Sequence, residues 1–263
     1  MLIISDDNAQ MVIDESLART GGMVSVEPRR TTYGSSEAQQ IGLIAGEEQI
    51  KPYPESEWPD RIKAMAGRFI GDVMVANKVK CKDQNGLGFC WTYSLTSCVE
   101  VIRLQQGQGY VELNPESLGG DVGWRNAGNS LDSAIAYART HGICERRFSP
   151  PHNLKTGTWQ KGWEENALGY KPAEWFDLDG KERWPMTVTA LLSGYPVYVG
   201  YDWWRHALIV VGLTLVGSEV CLVLRNSWGS NYGDDGYFVL KGNKKYPSYG
   251  CFAPRSVTWN IVA

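Results

Sequence analysis

The apolar residues of this chain follow a helical period in its first part and form short β-rich runs in its last third. Helix-face spacing runs through residues 89–106 and 131–140, and a shorter helix is predicted at 187–193. Past Gly194, four runs rich in β-branched and aromatic residues are separated by glycine turns, at residues 197–199, 206–211, 220–224 and 237–240. Helices that precede strands in this way predict an α+β fold with two lobes.

The division of the chain into domains follows from its length and composition. A chain of 263 residues is long enough to bury a large core, as one domain or as two lobes that share a cleft. Residues 1–50 contain few aromatic side chains, whereas prolines and a tryptophan appear together at 52–59. We therefore predict an N-terminal arm or short pro-segment over 1–50 and one domain over 51–263, with a helical lobe at about 85–150 and a β-rich lobe at about 185–263.

The charge and hydropathy of the chain argue against several classes of partner. The net charge is −3 and no dense block of lysine and arginine appears, so no nucleic-acid partner is expected. No apolar run is long enough to span a bilayer, and the first residues lack the pattern of a secretory signal, so no membrane partner is expected. The six cysteines are then expected to be thiols in the cytoplasm, although incorporation into a virion or other assembly stays open.

One cysteine, Cys90, lies where a glycine-rich loop meets a predicted helix. The loop contains Gln84, Gly86 and Gly88, and the helical period begins directly after Cys90. A thiol at a helix N-terminus sits at the positive end of the helix dipole, which favours the nucleophilic thiolate. This setting is typical of a catalytic cysteine more than of a thiol that fills a core.

A cysteine nucleophile also needs a base, and His206 and Asn226 are placed to supply and orient one. His206 opens one predicted strand, and Asn226 follows the next strand along the chain. If these strands are antiparallel neighbours, the two side chains lie side by side and Cys90 faces them across a cleft. The three histidines are scattered and no C-x-x-C pair exists, so neither a metal nor another cofactor is expected.

These residues, read in chain order, resemble the papain-like cysteine peptidases of the C1 type. The resemblance is carried by Gln84 and Cys90-Trp91, then His206-Ala207, then Asn226-Ser227-Trp228-Gly229. It implies a papain-like two-lobed fold, with a helical lobe, an antiparallel and barrel-like β-rich lobe, and the active-site cleft between them.

The resemblance also assigns roles to individual residues. It implies that Cys90 attacks the scissile carbonyl as a thiolate, that His206 is its ion-pair partner and later protonates the leaving amine, and that Asn226 orients the imidazole. Gln84 is implied to donate a hydrogen bond to the oxyanion, together with the backbone N–H of Cys90.

Further positions are assigned to substrate binding or to support of the site. Trp228 is implied to cover the histidine–asparagine bond and to line the substrate site. Gly128 is implied to bind substrate backbone, although Ala127 stands where the family usually has a second glycine. Glu100 matches a common family glutamate and is expected to be structural.

Three positions depart from the family's usual pattern. Leu87 stands where the family has a disulfide-bonded cysteine, which agrees with a reducing compartment. Phe89 precedes the nucleophile where a small residue is common, and we expect it to narrow the cleft. Arg205 precedes His206, where it either prefers acidic substrate groups or points to water.

The function expected from this sequence is that of a cysteine-type endopeptidase acting on a peptide or protein substrate. The reaction would pass through a thioester acyl-enzyme and end in hydrolysis. Two alternatives remain open at this point. One is a papain-fold structural or binding component of a larger assembly, for example a viral particle, with residues 1–50 as a possible docking segment for a partner. The other is an acyl transferase that uses the same triad.

Overall fold

The computed structural model describes residues 1–20, 51–178 and 182–258. The helices are α1 (Ala9–Thr20), α2 (Trp58–Met65), α3 (Ile70–Ala76), α4 (Cys90–Gln105), α5 (Leu131–His141), α6 (Trp163–Ala167) and α7 (Arg183–Leu192). The strands are β1 (Leu2–Ile4), β2 (Pro172–Asp177), β3 (Val197–Tyr201), β4 (His206–Val216), β5 (Glu219–Arg225), β6 (Tyr237–Leu240) and β7 (Tyr249–Val257). The predicted α+β class is confirmed.

All seven strands belong to one sheet, in the order β1-β6-β5-β4-β3-β7-β2. Every neighbouring pair is antiparallel except β1 and β6, which run parallel. Within the described strands the sheet is open, with β1 and β2 at its two edges, so it is not the barrel-like closure that the resemblance implied. The long strand β4 lies at its centre.

Two apolar cores cover the two faces of the sheet. The first core packs α4 and α5 against one face and includes Trp91, Leu95 and Ile209. The second packs α2 and α7 against the opposite face and includes Trp58, Leu191 and Val210. Ile209 and Val210 are adjacent in β4, and their side chains alternate between the two cores as expected in a strand buried on both faces.

Helix α4 carries Cys90 at its start, and nearly all of its length is buried against the sheet. It packs against β3, β4 and β7. It agrees with the helix predicted at 89–106 and ends before Gly107, which has a φ of +78°. The predicted nucleophile is therefore carried on a rigid element, anchored by one of the two cores.

The structure also contains elements that the sequence pattern did not predict. No element was predicted between 141 and 186, yet β2 pairs with β7 and buries Trp175, and α6 forms at Trp163–Ala167. Helix α7 begins four residues earlier than predicted. Pro185 lies in the first turn, where backbone N–H groups have no hydrogen-bond partner within the helix. Its missing N–H therefore removes no helical hydrogen bond, and the proline does not stop the helix.

The first residues of the chain pack on the sheet. Leu2–Ile4 pair with β6, and Val12 of α1 is buried in the second core. Residues 21–50 lie outside the described residues, so the role of residues 1–50 as a pro-segment or docking arm stays a prediction. In the described ranges, no helix combines the length and the apolar character needed to cross a bilayer.

A buried ion pair joins the segment before the nucleophile loop to α4. Lys82 Nζ lies 2.7 Å from Glu100 Oε1, and the two side chains are 6% and 0% exposed. The same carboxylate oxygen accepts the N–H of Leu113 at 2.7 Å. Burial raises the pKa of Glu100, and Lys82 opposes that shift. The predicted structural role of Glu100 agrees with these contacts.

Replacing Lys82 by methionine is expected to lower the free energy of unfolding by about 3–5 kcal/mol, because Glu100 then stays buried without its cation. Urea unfolding followed by tryptophan fluorescence measures the change. Lys63→Met is the matched control, since the Lys63–Asp60 pair is exposed and is expected to be worth less than about 1 kcal/mol.

A second variant separates charge from packing at this site. Lys82→Met combined with Glu100→Gln is expected to recover part of the loss, because glutamine still accepts the Leu113 N–H without a buried charge. If Lys82→Met costs no more than Lys63→Met, the ion pair does not stabilise the fold.

Candidate active site

The loop before Cys90 is shaped by a close contact with residues 126–128. The Gly88 N–H donates to Asn126 Oδ1 at 2.6 Å. A Cβ on Gly88 would lie 3.3 Å from the Ala127 carbonyl carbon and from the Gly128 nitrogen, so glycine allows the two segments to approach. Trp91 Nε1 donates to the Gly88 and Ala127 carbonyls at 3.1 and 3.2 Å. Gly128, predicted to contact substrate, thus lies directly beside the nucleophile loop.

The sulfur of Cys90 lies at the N-terminus of α4, against the first residues of β4. The backbone N–H groups of Ala207, of Trp91 and of Cys90 itself are near enough to the sulfur to lower the pKa of the thiol. Ser94, one turn further along α4, donates to the Ala207 carbonyl at 2.9 Å and fastens the helix to this strand. Because Ala207 follows His206, the thiol lies near the strand that carries the predicted base.

His206 and Asn226 are brought together by the antiparallel pairing of β4 and β5. Asn226 Oδ1 lies 2.8 Å from His206 Nε2 and also accepts the N–H of Ser227 at 2.8 Å. A carbonyl oxygen only accepts, so Nε2 carries the proton in the neutral imidazole and Nδ1 holds the lone pair. Within the described residues Nδ1 has no hydrogen-bond partner, which leaves it available as a base.

Two tryptophans pack on the His206 imidazole, and a third packs behind one of them. The centre of the Trp228 ring lies 5.0 Å from the centre of the His206 imidazole, and the centre of the Trp204 ring lies 5.2 Å from it. Trp204 stacks on Trp203 and packs edge-on against Trp228. Trp228 was predicted to cover the bond, but Trp204 was not predicted. The pair Trp203-Trp204, which ends two residues before His206, was the available signal.

Burial sets the protonation of the two reacting groups. Cys90 is 4% exposed and His206 is 0% exposed. Burial raises the pKa of the Cys90 thiol to about 11, although the neighbouring N–H groups lower it. Burial also lowers the pKa of His206 to about 4, against the effect of the Asn226 bond. At neutral pH this conformation therefore favours a neutral thiol and a neutral imidazole. The sequence suggested that the helix N-terminus would favour the thiolate, but desolvation has the larger effect on the pKa of Cys90.

Gln84 is held by backbone and side-chain hydrogen bonds at the junction of the lobes. Its backbone N–H donates to the Ser227 carbonyl at 2.8 Å, and its side-chain Oε1 accepts from Ser227 Oγ at 2.7 Å. Its Nε2 donates to the Leu87 carbonyl at 2.6 Å. A primary amide carries two N–H bonds, so a second donor remains on Nε2. Donation to an oxyanion by Gln84 stays a prediction.

The predictions for Phe89 and Arg205, which precede the predicted nucleophile and the predicted base, have different outcomes. The expectation that Phe89 narrows the cleft is wrong, because its ring is fully buried in the first core. There it packs against Gly119 and lies 5.5 Å from the Trp91 ring. Arg205 is exposed in a turn with a φ of +52°, and its contact with acidic substrate groups stays a prediction.

The remaining cysteines and acids of the described ranges show no metal site. No cluster of three or more histidine, cysteine, aspartate or glutamate side chains with a metal-binding arrangement occurs there. None of the six cysteines, all of which lie in those ranges, forms a disulfide. The arrangement provides a thiol, a base and backbone hydrogen-bond donors, which are the groups that acyl transfer by a cysteine requires.

Known proteins with similar sequences or folds are cysteine proteases. The family model described as papain family cysteine protease matches residues 191–253, which include His206 and Asn226. Zingipain-2 from Zingiber officinale is 23% identical over 208 residues, covering 70% of this chain and 91% of that protein. Probable cysteine protease RDL6 from Arabidopsis thaliana is 25% identical over 196 residues, covering 65% of this chain and 54% of that protein.

Among solved structures, the digestive procathepsin L 3 of Tenebrio molitor larval midgut matches with a TM-score of 0.58 and 22% identity. The match covers 94% of this chain and 91% of that chain, and it shows a shared fold. The chain spans about half the length of several of the curated relatives it matches. The family model, the relatives and the shared fold all support the resemblance of this chain to papain-like cysteine peptidases.

Proposed function

We propose that this protein is an endopeptidase that cleaves peptide bonds through a thioester formed on Cys90. The observation that carries the proposal is the 2.8 Å bond from His206 Nε2 to Asn226 Oδ1, because it fixes Nδ1 as the basic atom of the imidazole. The next residue, Ala207, has its N–H near the Cys90 sulfur, so the start of β4 carries both the base and a group that faces the nucleophile.

In the first step the Cys90 sulfur attacks the scissile carbonyl carbon while its proton moves to His206 Nδ1. Burial favours the neutral forms of both groups, so the thiol needs His206 Nδ1 as the acceptor of its proton. The developing oxyanion accepts hydrogen bonds from the Cys90 N–H and from Gln84 Nε2.

In the later steps the same imidazole first donates a proton and then accepts one. The imidazolium returns its proton to the leaving amine, the C–N bond breaks, and an acyl thioester remains on Cys90. His206 Nδ1 then removes a proton from water, whose oxygen attacks the thioester and releases the acid and the thiol. Asn226 remains neutral throughout and holds the ring by accepting from Nε2.

The substrate side of the site is proposed from position. Gly128 lies beside the Gly88 backbone, where its own backbone can pair with an extended peptide. Trp228 packs on the catalytic imidazole, where it excludes water from the His206–Asn226 bond. The thiols and Leu87 support a reducing working compartment.

Incubation of the protein with an unbiased peptide library, followed by mass spectrometry, tests the proposal. Internal cleavage that is lost on Cys90 alkylation supports an endopeptidase. Added amines separate hydrolysis from transfer, because an acyl transferase would give amide products in place of acids. Labelling of Cys90 by an epoxide without any cleavage would instead favour a binding role.

Gln84→Met is expected to lower kcat by about 10²–10³-fold, because the amide donor to the oxyanion is lost while the side-chain volume is kept. The rate of Cys90 alkylation by iodoacetamide is expected to change little, because alkylation forms no oxyanion. Gln10→Met, in the exposed part of α1, is the control and should leave kcat unchanged. An unchanged kcat for Gln84→Met would remove Gln84 from the oxyanion hole.

A further inference from the structure

A buried carboxylate organises three groups behind the nucleophile loop. Glu116 accepts the Tyr93 hydroxyl at 2.6 Å, the Arg146 guanidinium at 2.7 Å and the His152 backbone N–H at 2.8 Å. Burial alone would raise the pKa of Glu116, but Arg146 and these hydrogen bonds lower it, so the group is a carboxylate at neutral pH. Tyr93 lies in the first turn of α4, so this network is fastened to the helix that carries Cys90.

The segment before Gln84 is hydrogen-bonded along one edge to the β-rich lobe. Gly229 N–H donates to the Lys82 carbonyl at 3.0 Å, and Gln84 N–H donates to the Ser227 carbonyl at 2.8 Å. Asp83, between them, forms a bridge with Trp228. In an extended segment, successive backbone groups point to opposite edges, so the Asp83 carbonyl faces away from these partners.

The His152 side chain lies at that opposite edge, on the side of the Asp83 carbonyl. Its Nε2 lies 2.7 Å from the Asp83 carbonyl oxygen. A carbonyl only accepts, so Nε2 carries a proton whether His152 is neutral or charged. The residue before Gln84 is therefore held from both sides, by the β-rich lobe on one edge and by His152 on the other.

The backbone of His152 is itself held in an unusual conformation. Its φ is +63°, in the left-handed region that non-glycine residues rarely occupy. Such a conformation persists when its surroundings enforce it, and here the Glu116 carboxylate binds the His152 N–H. The result is an imidazole directed at the oxyanion loop by a buried, charged anchor.

We propose that His152 is a positioning residue that fixes the Gln84 loop through the Asp83 carbonyl. The proposal rests on the function proposed above, because Gln84 matters only if an oxyanion forms. His152 does not touch the reacting atoms. It acts by keeping Gln84 Nε2 in place, and a small displacement of such a donor costs up to about 10²-fold in rate.

Three substitutions at this position separate positioning from simple relief of backbone strain. Glutamine places its amide nitrogen near the position of Nε2, whereas asparagine reaches only about as far as Nδ1. Asparagine, however, tolerates a positive φ best. A positioning role therefore ranks His152→Gln above His152→Asn and His152→Ala in activity, and a purely structural role ranks His152→Asn first.

The experiment measures kcat, KM, the melting temperature and the iodoacetamide alkylation rate of Cys90 for the full chain and its variants. We expect His152→Ala and His152→Asn to lower kcat by about 10- to 100-fold, with KM and the alkylation rate changed less than twofold. His152→Gln should recover most of kcat. His141→Ala, at the exposed end of α5, is the matched control and should behave as wild type.

The outcomes separate this proposal from the proposed function. If the wild-type chain cleaves no peptide, the proposed function fails. If the wild type is active and His152→Ala keeps its kcat, or if His152→Asn is the most active variant, the positioning role is overturned.

Discussion

Cys90→Ala is expected to lower kcat/KM by about 10⁵–10⁶-fold, the scale seen when a catalytic nucleophile is removed. The acyl bond forms on the Cys90 sulfur, and no other group replaces it. Because the side chain is small and lies at the start of α4, the variant should fold with an unchanged fluorescence spectrum. Hydrolysis of a peptide found by library cleavage gives the rates.

Cys221→Ala controls for the general effect of removing a buried thiol. Cys221 lies on β5, and its thiol donates to the Glu219 carbonyl away from the cleft. This variant should keep full activity. If Cys90→Ala cleaves within tenfold of wild type, or if Cys221→Ala is equally inactive, Cys90 is not the nucleophile.

His206→Gln is expected to lower kcat/KM by a similar factor of about 10⁵, because the proton of the thiol then has no acceptor. Glutamine has nearly the size of histidine and limits the cavity left among Trp204 and Trp228. Direct titration of Cys90 thiolate by its ultraviolet absorbance should show the thiol still protonated at neutral pH in both proteins, since burial raises its pKa.

The same substitution has a second consequence, for stability in acid. The pKa of His206 is lowered from 6.5 to about 4 in the folded protein. Below pH 6.5 the unfolded chain binds this proton more readily than the folded one. The free energy of unfolding therefore falls as the pH drops from about 6.5 to about 4, by up to about 3 kcal/mol.

Unfolding in urea at pH 7, 5 and 4 measures that contribution. His206→Gln should lose less stability than wild type over this interval, and His141→Gln, at an exposed histidine, should lose as much as wild type. An identical pH dependence in His206→Gln and wild type would show that His206 does not titrate as a buried group.

The sequence was sufficient to place the candidate catalytic residues on their helix and strands because local signals set these positions. A helical period starts at Cys90, and two β-rich runs joined by a short turn place His206 beside Asn226. The resemblance to papain-like peptidases then supplied their roles. These features depend on neighbours in the chain, which sequence patterns record well.

Features that depend on distant contacts could not be predicted in the same way. Strand β2 forms only because β7 supplies its hydrogen-bond partners from residues far along the chain. Phe89 was expected in the cleft, but Gly119 leaves space that takes the ring into the core. His152 lies in a proline-rich loop whose contact with Asp83 no local pattern records.

The central claim is that acyl transfer occurs on Cys90, and trapping the acyl-enzyme tests it most directly. The protein is mixed with a stoichiometric activated peptide ester, quenched in acid within milliseconds, and analysed by intact mass and peptide mapping. We predict one acyl group per chain, sensitive to hydroxylamine and located on the peptide that contains Cys90. Rapid hydrolysis with the acyl group on another residue, or with no acyl group at all, would contradict the assignment.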